Sequence, residues 1–220
     1  MHIPGLTKKI LLVCGILSSL LYIIMNIVTA MMYDGYDVNS QTVSELSAIG
    51  APTRSLWVPM GLLYGLLIIA FGYGISLSAE NNRRLKIVGI IFIIDGFIGF
   101  FWPPMHTREV LAAGGGTITD TLHIVWTCIH IPLVMLCIGF GAFAFGKKFL
   151  VYSIVTFLIL MVAGIFTGID GPKISRDLPT PWIGVWERIT IAAYLVWMVV
   201  LSIILLKKQR ESRVDNSLAD

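Results

Sequence analysis

Asp95 stands in the run Ile93-Ile94-Asp95-Gly96-Phe97, where its neighbours suit hydrocarbon and it does not. An aspartate at the centre of a membrane helix costs about 2.5–3.5 kcal/mol, so the group must be neutral or held by a donor or a cation. Donors are available further along the chain. Asp120, His123, Thr127 and His130 recur at steps of three, four and three, which places them on one helical stripe. Ser19, Tyr22, Asn26, Thr29 and Tyr33 form a second stripe, and Glu187, Thr190 and Tyr194 a third, with Arg188 beside it.

These residue types allow three chemistries. Arg188 with His123, Glu187 and Asp120 suits the anionic head group of a lipid or another small amphiphile, because a guanidinium offers paired hydrogen bonds to phosphate or carboxylate. Hydrolysis is the second: His106, His123 and Glu187 have the ligand types for zinc, and Ser44 served by a histidine is a candidate nucleophile. The third is proton-coupled transport, with Asp95 and His130 as a relay. Spacing weakens the metal reading, since no His-x-x-x-His or His-Glu-x-x-His pattern occurs. His123 and His130 are about 10.5 Å apart along one helix, too far to share an ion. Cys14, Cys128 and Cys137 all fall in apolar runs and read as small core residues.

The elements that must position these groups follow from composition. The 220 residues are 56% hydrophobic and 13% charged, with mean hydropathy +0.84, whereas a soluble domain carries about 25% charged residues. At about 20 apolar residues per crossing, the chain accommodates six spans and no sizeable soluble domain. The pattern predicts an all-α integral membrane bundle of six transmembrane helices, over about 10–33, 56–77, 85–102, 121–145, 149–168 and 185–206, with a short polar tail at 207–220. The first run is longer than a signal-peptide core and is expected to remain as a helix.

Lys8/Lys9, Arg83/Arg84/Lys86, Lys147/Lys148 and Lys207/Lys208/Arg210/Arg213 fall on one side of that arrangement, which predicts cytoplasmic N and C termini and a multi-pass protein of the cell membrane. Because the connections at 79–84 and 146–148 are short, spans two and three, and four and five, are expected to be antiparallel neighbours. Gly61/Gly65 and Gly164/Gly168 are spaced for close helix approach. In the first outer segment, Thr42-Val43-Ser44-Glu45 is a capping box and predicts a short outer-surface helix near 42–49. At about 1.5 Å per residue, Asn26, Asp95, His130 and Tyr194 lie roughly 10–14 Å below the outer boundary. Asp120, His123, Glu187, Arg188 and His106 lie nearer the surface.

Ser40 through Pro52, Pro103-Pro104, Gly115/Gly116 followed by Leu122-His123, and Trp186-Glu187-Arg188 together resemble the prokaryotic multi-span membrane family catalogued as domain of unknown function 998. The resemblance covers most of the chain. It implies a multi-span fold and no assigned reaction, and its matching positions direct attention to Ser44, His123, Glu187 and Arg188. The expectation is a binder of a lipid or small amphiphile in an outward-facing acid and histidine pocket, with the hydrolase and the transporter as alternatives. Membrane lipids are the expected partners, and a homo-oligomer is compatible. Nucleic acid is not expected, because the basic residues flank the membrane spans.

Overall fold

The apolar runs fold as helices because hydrocarbon offers the backbone no hydrogen-bond partner, so each segment must satisfy its own. A computed structural model describes residues 5–219, with side-chain surroundings to Glu211. The long helices are α1 (Gly5–Met32), α2 (Arg54–Ser78), α3 (Arg83–Gly99), α5 (Ile118–Ala142), α6 (Lys147–Ile174) and α7 (Ile183–Ala219). A short α4 (Arg108–Ala112) and a 3-10 turn (Val43–Ser47) lie in the connections between them. The protein is an all-helical, multi-pass membrane protein. Among the described residues five helices, α1, α2, α5, α6 and α7, are long and apolar enough to cross a membrane.

At 17 residues, α3 is shorter than the sequence reading of 85–102. Its last turn tightens: the amides of Phe100, Phe101 and Trp102 donate to the carbonyls of Phe97, Ile98 and Gly99 at 3.0–3.3 Å, so the coil winds on as 3-10 turns to Pro103. Other bounds also differ, among them the start of α1 at Gly5 rather than 10. Helix α5 ends at Ala142, before Gly146, whose φ of +81° opens α6 in a conformation that suits glycine. Helix α6 runs past Gly168 to Ile174, its last turn held by Lys173 donating to Asp170 at 2.6 Å. Helix α7 continues through most of the polar tail to Ala219.

The long helices close a ring in chain order. Each packs against its chain neighbour, and α7 returns to α1. Ser202 Oγ donates to the Leu12 carbonyl (2.6 Å), Ser19 Oγ to that of Leu195 (3.3 Å) and Gln209 Nε2 to that of Gly5 (2.7 Å), so α1 and α7 are antiparallel and share the basic end. The α2–α3 seam is the tightest. A Cβ on Gly72 would lie 2.6 Å from the Gly89 carbonyl oxygen, and one on Gly96 2.9 Å from that of Gly65. By contrast Gly61, Gly164 and Gly168 face open space.

Packing is uneven along the ring. Trp197, Phe71, Phe92, Leu12, Ile75, Ile138, Met198 and Leu201 are fully buried toward the basic end. Every buried residue of α5 lies at or beyond Val134, and its outer half has none. Pro132, which removes one backbone hydrogen bond, marks the division. The first half of α5 is therefore loosely packed, which leaves the polar stripe at the edge of the bundle.

Candidate functional site

The sequence of α3 puts Ile94 outward, Gly96 against α2 and Asp95 inward, where it is 7% exposed. Its Oδ1 lies 2.7 Å from Nδ1 of His130 on α5. That contact ties two neighbouring antiparallel helices. Trp126, one turn before His130, stacks on its ring at 4.8 Å and 12°, while Nε1 of Trp126 donates to the Ile98 carbonyl at 3.2 Å. The imidazole is thus fixed between a carboxylate and an indole. With Nδ1 facing Asp95, the other nitrogen, Nε2, has no hydrogen-bond partner among the described residues, and the side chain is 29% exposed.

Aromatic residues continue the packing inward. Tyr194 on α7 stacks with Phe92 (6.3 Å), and Tyr64 on α2 meets Tyr22 on α1 edge to face (5.1 Å). Asn26, one turn beyond Tyr22, is half-buried, and its carbonyl accepts a 3.4 Å bond from Thr29 Oγ1. Tyr22 and Tyr64 thus link α1 to α2, and Phe92 and Tyr194 link α3 to α7, through aromatic contacts.

The polar residues at the end of the ring away from the basic clusters form two separate clasps. In the first, His106 donates its backbone amide to Asp120 Oδ1 (2.7 Å) and sets its Nδ1 2.9 Å from Oδ2. Asp120 also closes a capping box with Thr117 at the start of α5. His123 turns its Nδ1 to the Pro103 carbonyl at 2.8 Å and meets Trp102 edge to face.

The second clasp surrounds the 3-10 turn. Glu187 accepts from the Val43 amide and has the Ser44 hydroxyl within reach. Arg188 donates to the carbonyls of Val38 (2.8 Å), Gln41 (3.1 Å) and Gly184 (3.1 Å) and to Tyr36 Oη (2.6 Å). Burial holds the Tyr36 phenol well above its usual range despite Arg188, so it remains a donor to the Thr42 carbonyl at 2.7 Å. Gly184 is required here, since a Cβ would collide with the Gln41 and Val38 carbonyls.

Glu45 does more than cap the turn, which was all its spacing showed. It accepts from the Thr42 amide and hydroxyl, as expected of a capping box, and is also gripped by Arg108 through Nε (2.8 Å) and Nη2 (3.1 Å). This contact holds the Arg108 guanidinium even higher than usual. Arg108 reaches on to the Ser40 carbonyl and to Thr180 Oγ1, so one side chain joins all three outer segments. The turn is a 3-10 helix of five residues rather than a longer helix over 42–49, because Ile49 leaves it to pair with the strand-like backbone at Met105 and Thr107.

His106, His123 and Glu187 thus face three different partners. Among the described residues no three His, Cys, Asp or Glu side chains converge closely enough to hold a metal ion, and no hydrogen bond joins Ser44 to a histidine. The zinc arrangement considered from sequence has no assembled ligand set here.

A family model described as a protein of unknown function (DUF998) matches residues 16–204. No curated protein and no solved structure matches the chain. The matched stretch takes in the Asp95–His130 pair, both clasps and nearly the whole helical ring. The chain belongs to the DUF998 family.

Proposed function

We propose that this membrane protein binds a lipid or small amphiphile entering sideways from the membrane, its polar end at Asp95 and His130. The observation that carries this reading is His130 Nε2. It is a polar atom about 18 Å along α5 from Ile118 at 1.5 Å per residue, on the poorly packed side of the ring, without a partner among the described residues. Ionisable groups at such depth face partners, cavities or substrate paths, and a hydroxyl or phosphate of an amphiphile supplies what the bundle does not. The phenols of Tyr64 and Tyr194 offer further hydrogen bonds, and the apolar flank of α5 receives the tail. Arg188, Asp120, Glu187 and His123 then serve chiefly to hold the outer cap. Six crossings with cytoplasmic termini complete this reading.

Lipid extraction and native mass spectrometry of wild-type protein and His130→Ala in one detergent test the proposal. Wild type is expected to carry a bound amphiphile that His130→Ala loses while remaining monodisperse. Equal retention by both, or none by the wild type, would sink it. The direct Asp95–His130 contact also favours a second reading as a proton relay. That reading requires proton-coupled uptake into liposomes that Asp95→Asn abolishes.

A further inference from the structure

At the basic end a groove of about 580 Å³ opens on the outer surface of the ring, walled by Pro132, Leu136, Gly139 and Phe143 of α5 and its C-terminal cap, and by Phe157 of α6. Arg84, at the start of α3, closes one end, its guanidinium 4.9 Å from the centre of the Phe143 ring. From Phe143 to Pro132 the groove follows α5 for about 16 Å at 1.5 Å per residue, the depth of one leaflet in a hydrocarbon core of about 30 Å. Its lining is apolar along that length and cationic only at the end.

Charge argues for the occupant. Arg83, Arg84 and Lys86 lie at the start of α3, and Lys147 and Lys148 follow Phe143 by a few residues at the start of α6. Among the described residues none of the five makes an ion pair. The connections on either side contain one acid, Glu80. A second copy of the chain, related by a two-fold axis along the membrane normal, would bring Arg84 toward Arg84, which disfavours self-association through this face. Basic sites between helices at the end of a leaflet suit anionic lipid head groups.

We propose that this groove seats one acyl chain of an anionic phospholipid from the leaflet at the basic end, with its phosphate on Arg84. The site is separate from His130 and does not rest on the reading above. Arg84 is suited to the phosphate because stacking on Phe143 orients its planar fork while leaving its donors open.

The full-length protein, delipidated in a neutral detergent, is titrated with phosphatidylglycerol and phosphatidylcholine and followed by native mass spectrometry. Wild type is expected to retain phosphatidylglycerol in preference. Arg84→Gln should cut that preference about fivefold, the factor for one basic residue near an anionic surface. Gly139→Leu should displace both lipids by filling the groove. A Cβ at Gly139 meets no atom within 4 Å, so this variant tests occupancy without crowding the helix. Unchanged retention in both variants would overturn the proposal. So would displacement of the bound species by inorganic phosphate alone, or a wild-type dimer that Gly139→Leu dissociates.

Discussion

At the scale of single residues, the outer cap depends on one buried carboxylate. Glu45 is 2% exposed and its partner Arg108 25%, so removing Arg108 strands a charge with only the Thr42 and Gln41 donors left to it. Breaking a buried pair in this way costs about 3–5 kcal/mol. Arg108→Ala is expected near the lower bound, because Arg108 itself keeps some contact with water. Reversible unfolding in mixed micelles measures this, and a loss below about 1 kcal/mol would show that the pair behaves as a surface ion pair. Asp120→Asn should cost less, about 1.5–3 kcal/mol, since the His106 and Thr117 amides donate to different oxygens of Asp120 and a single amide oxygen keeps only one of them. The sequence made Asp95 and His130 legible as partners because a lone carboxylate in hydrocarbon must be answered and helical spacing limits what can answer it. Arg108 was not legible: its partner lies 63 residues away in another loop, and no periodicity links the two.

Among the elements, the α2–α3 hairpin is held by backbone approach rather than by side-chain interlock. Gly65 and Gly72 on α2 face Gly96 and Gly89 on α3, two pairs each seven residues apart, which stay on one helix face with about 20° of drift. Gly72→Val would drive a branched side chain into the Gly89 carbonyl and Phe92 Cβ, at 2.6 and 2.8 Å from its first carbon. Overpacking of this kind costs about 1–3 kcal/mol, whereas Gly164→Ala, with nothing within 4 Å, should be neutral or slightly stabilising. Comparing the melting temperatures of the two variants checks this, and equal losses would refute the seam. The sequence reading favoured four-residue glycine spacings. It included Gly65 but missed Gly72, Gly89 and Gly96, because small residues at either spacing can share a face and only the neighbouring helix decides which are used. The existence and order of the helices were readable because hydropathy is set by each segment alone. The 3-10 turn, α4 and the extended ends of α6 and α7 depend on contacts with distant loops or on polar terminal turns that hydropathy does not register.

For the whole molecule, the length of α3 decides the number of crossings. Its 17 α-helical residues span about 26 Å, a little less than a hydrocarbon core of about 30 Å. The 3-10 turns to Trp102 rise faster, at about 2 Å per residue, and bring the winding segment to about 31 Å. Antiparallel contact along α2, from Gly65–Gly96 to Gly72–Gly89, holds α3 beside a helix that is itself long enough to span. Six crossings would place the 79–82 connection on the same side as both termini and the 103–117 and 175–182 segments on the other. Cysteine labelling tests this in a Cys128→Ser background, because Cys14 and Cys137 are buried and Cys128 is exposed. In sealed vesicles, Asn81→Cys is expected to react from one side with an impermeant maleimide, and Ala113→Cys and Ser175→Cys from the other. All three positions are exposed. Labelling of Asn81→Cys and Ala113→Cys from the same side would mean that α3 enters and leaves by one face. The Asp95–His130 contact would then belong to a re-entrant hairpin, and α5, α6 and α7 would each cross in the reverse direction, putting the two termini on opposite sides. The antiparallel contacts joining Leu12 to Ser202 and Gly5 to Gln209 cannot form in that arrangement, so the same result would dismantle the closed ring as well as the sixth span.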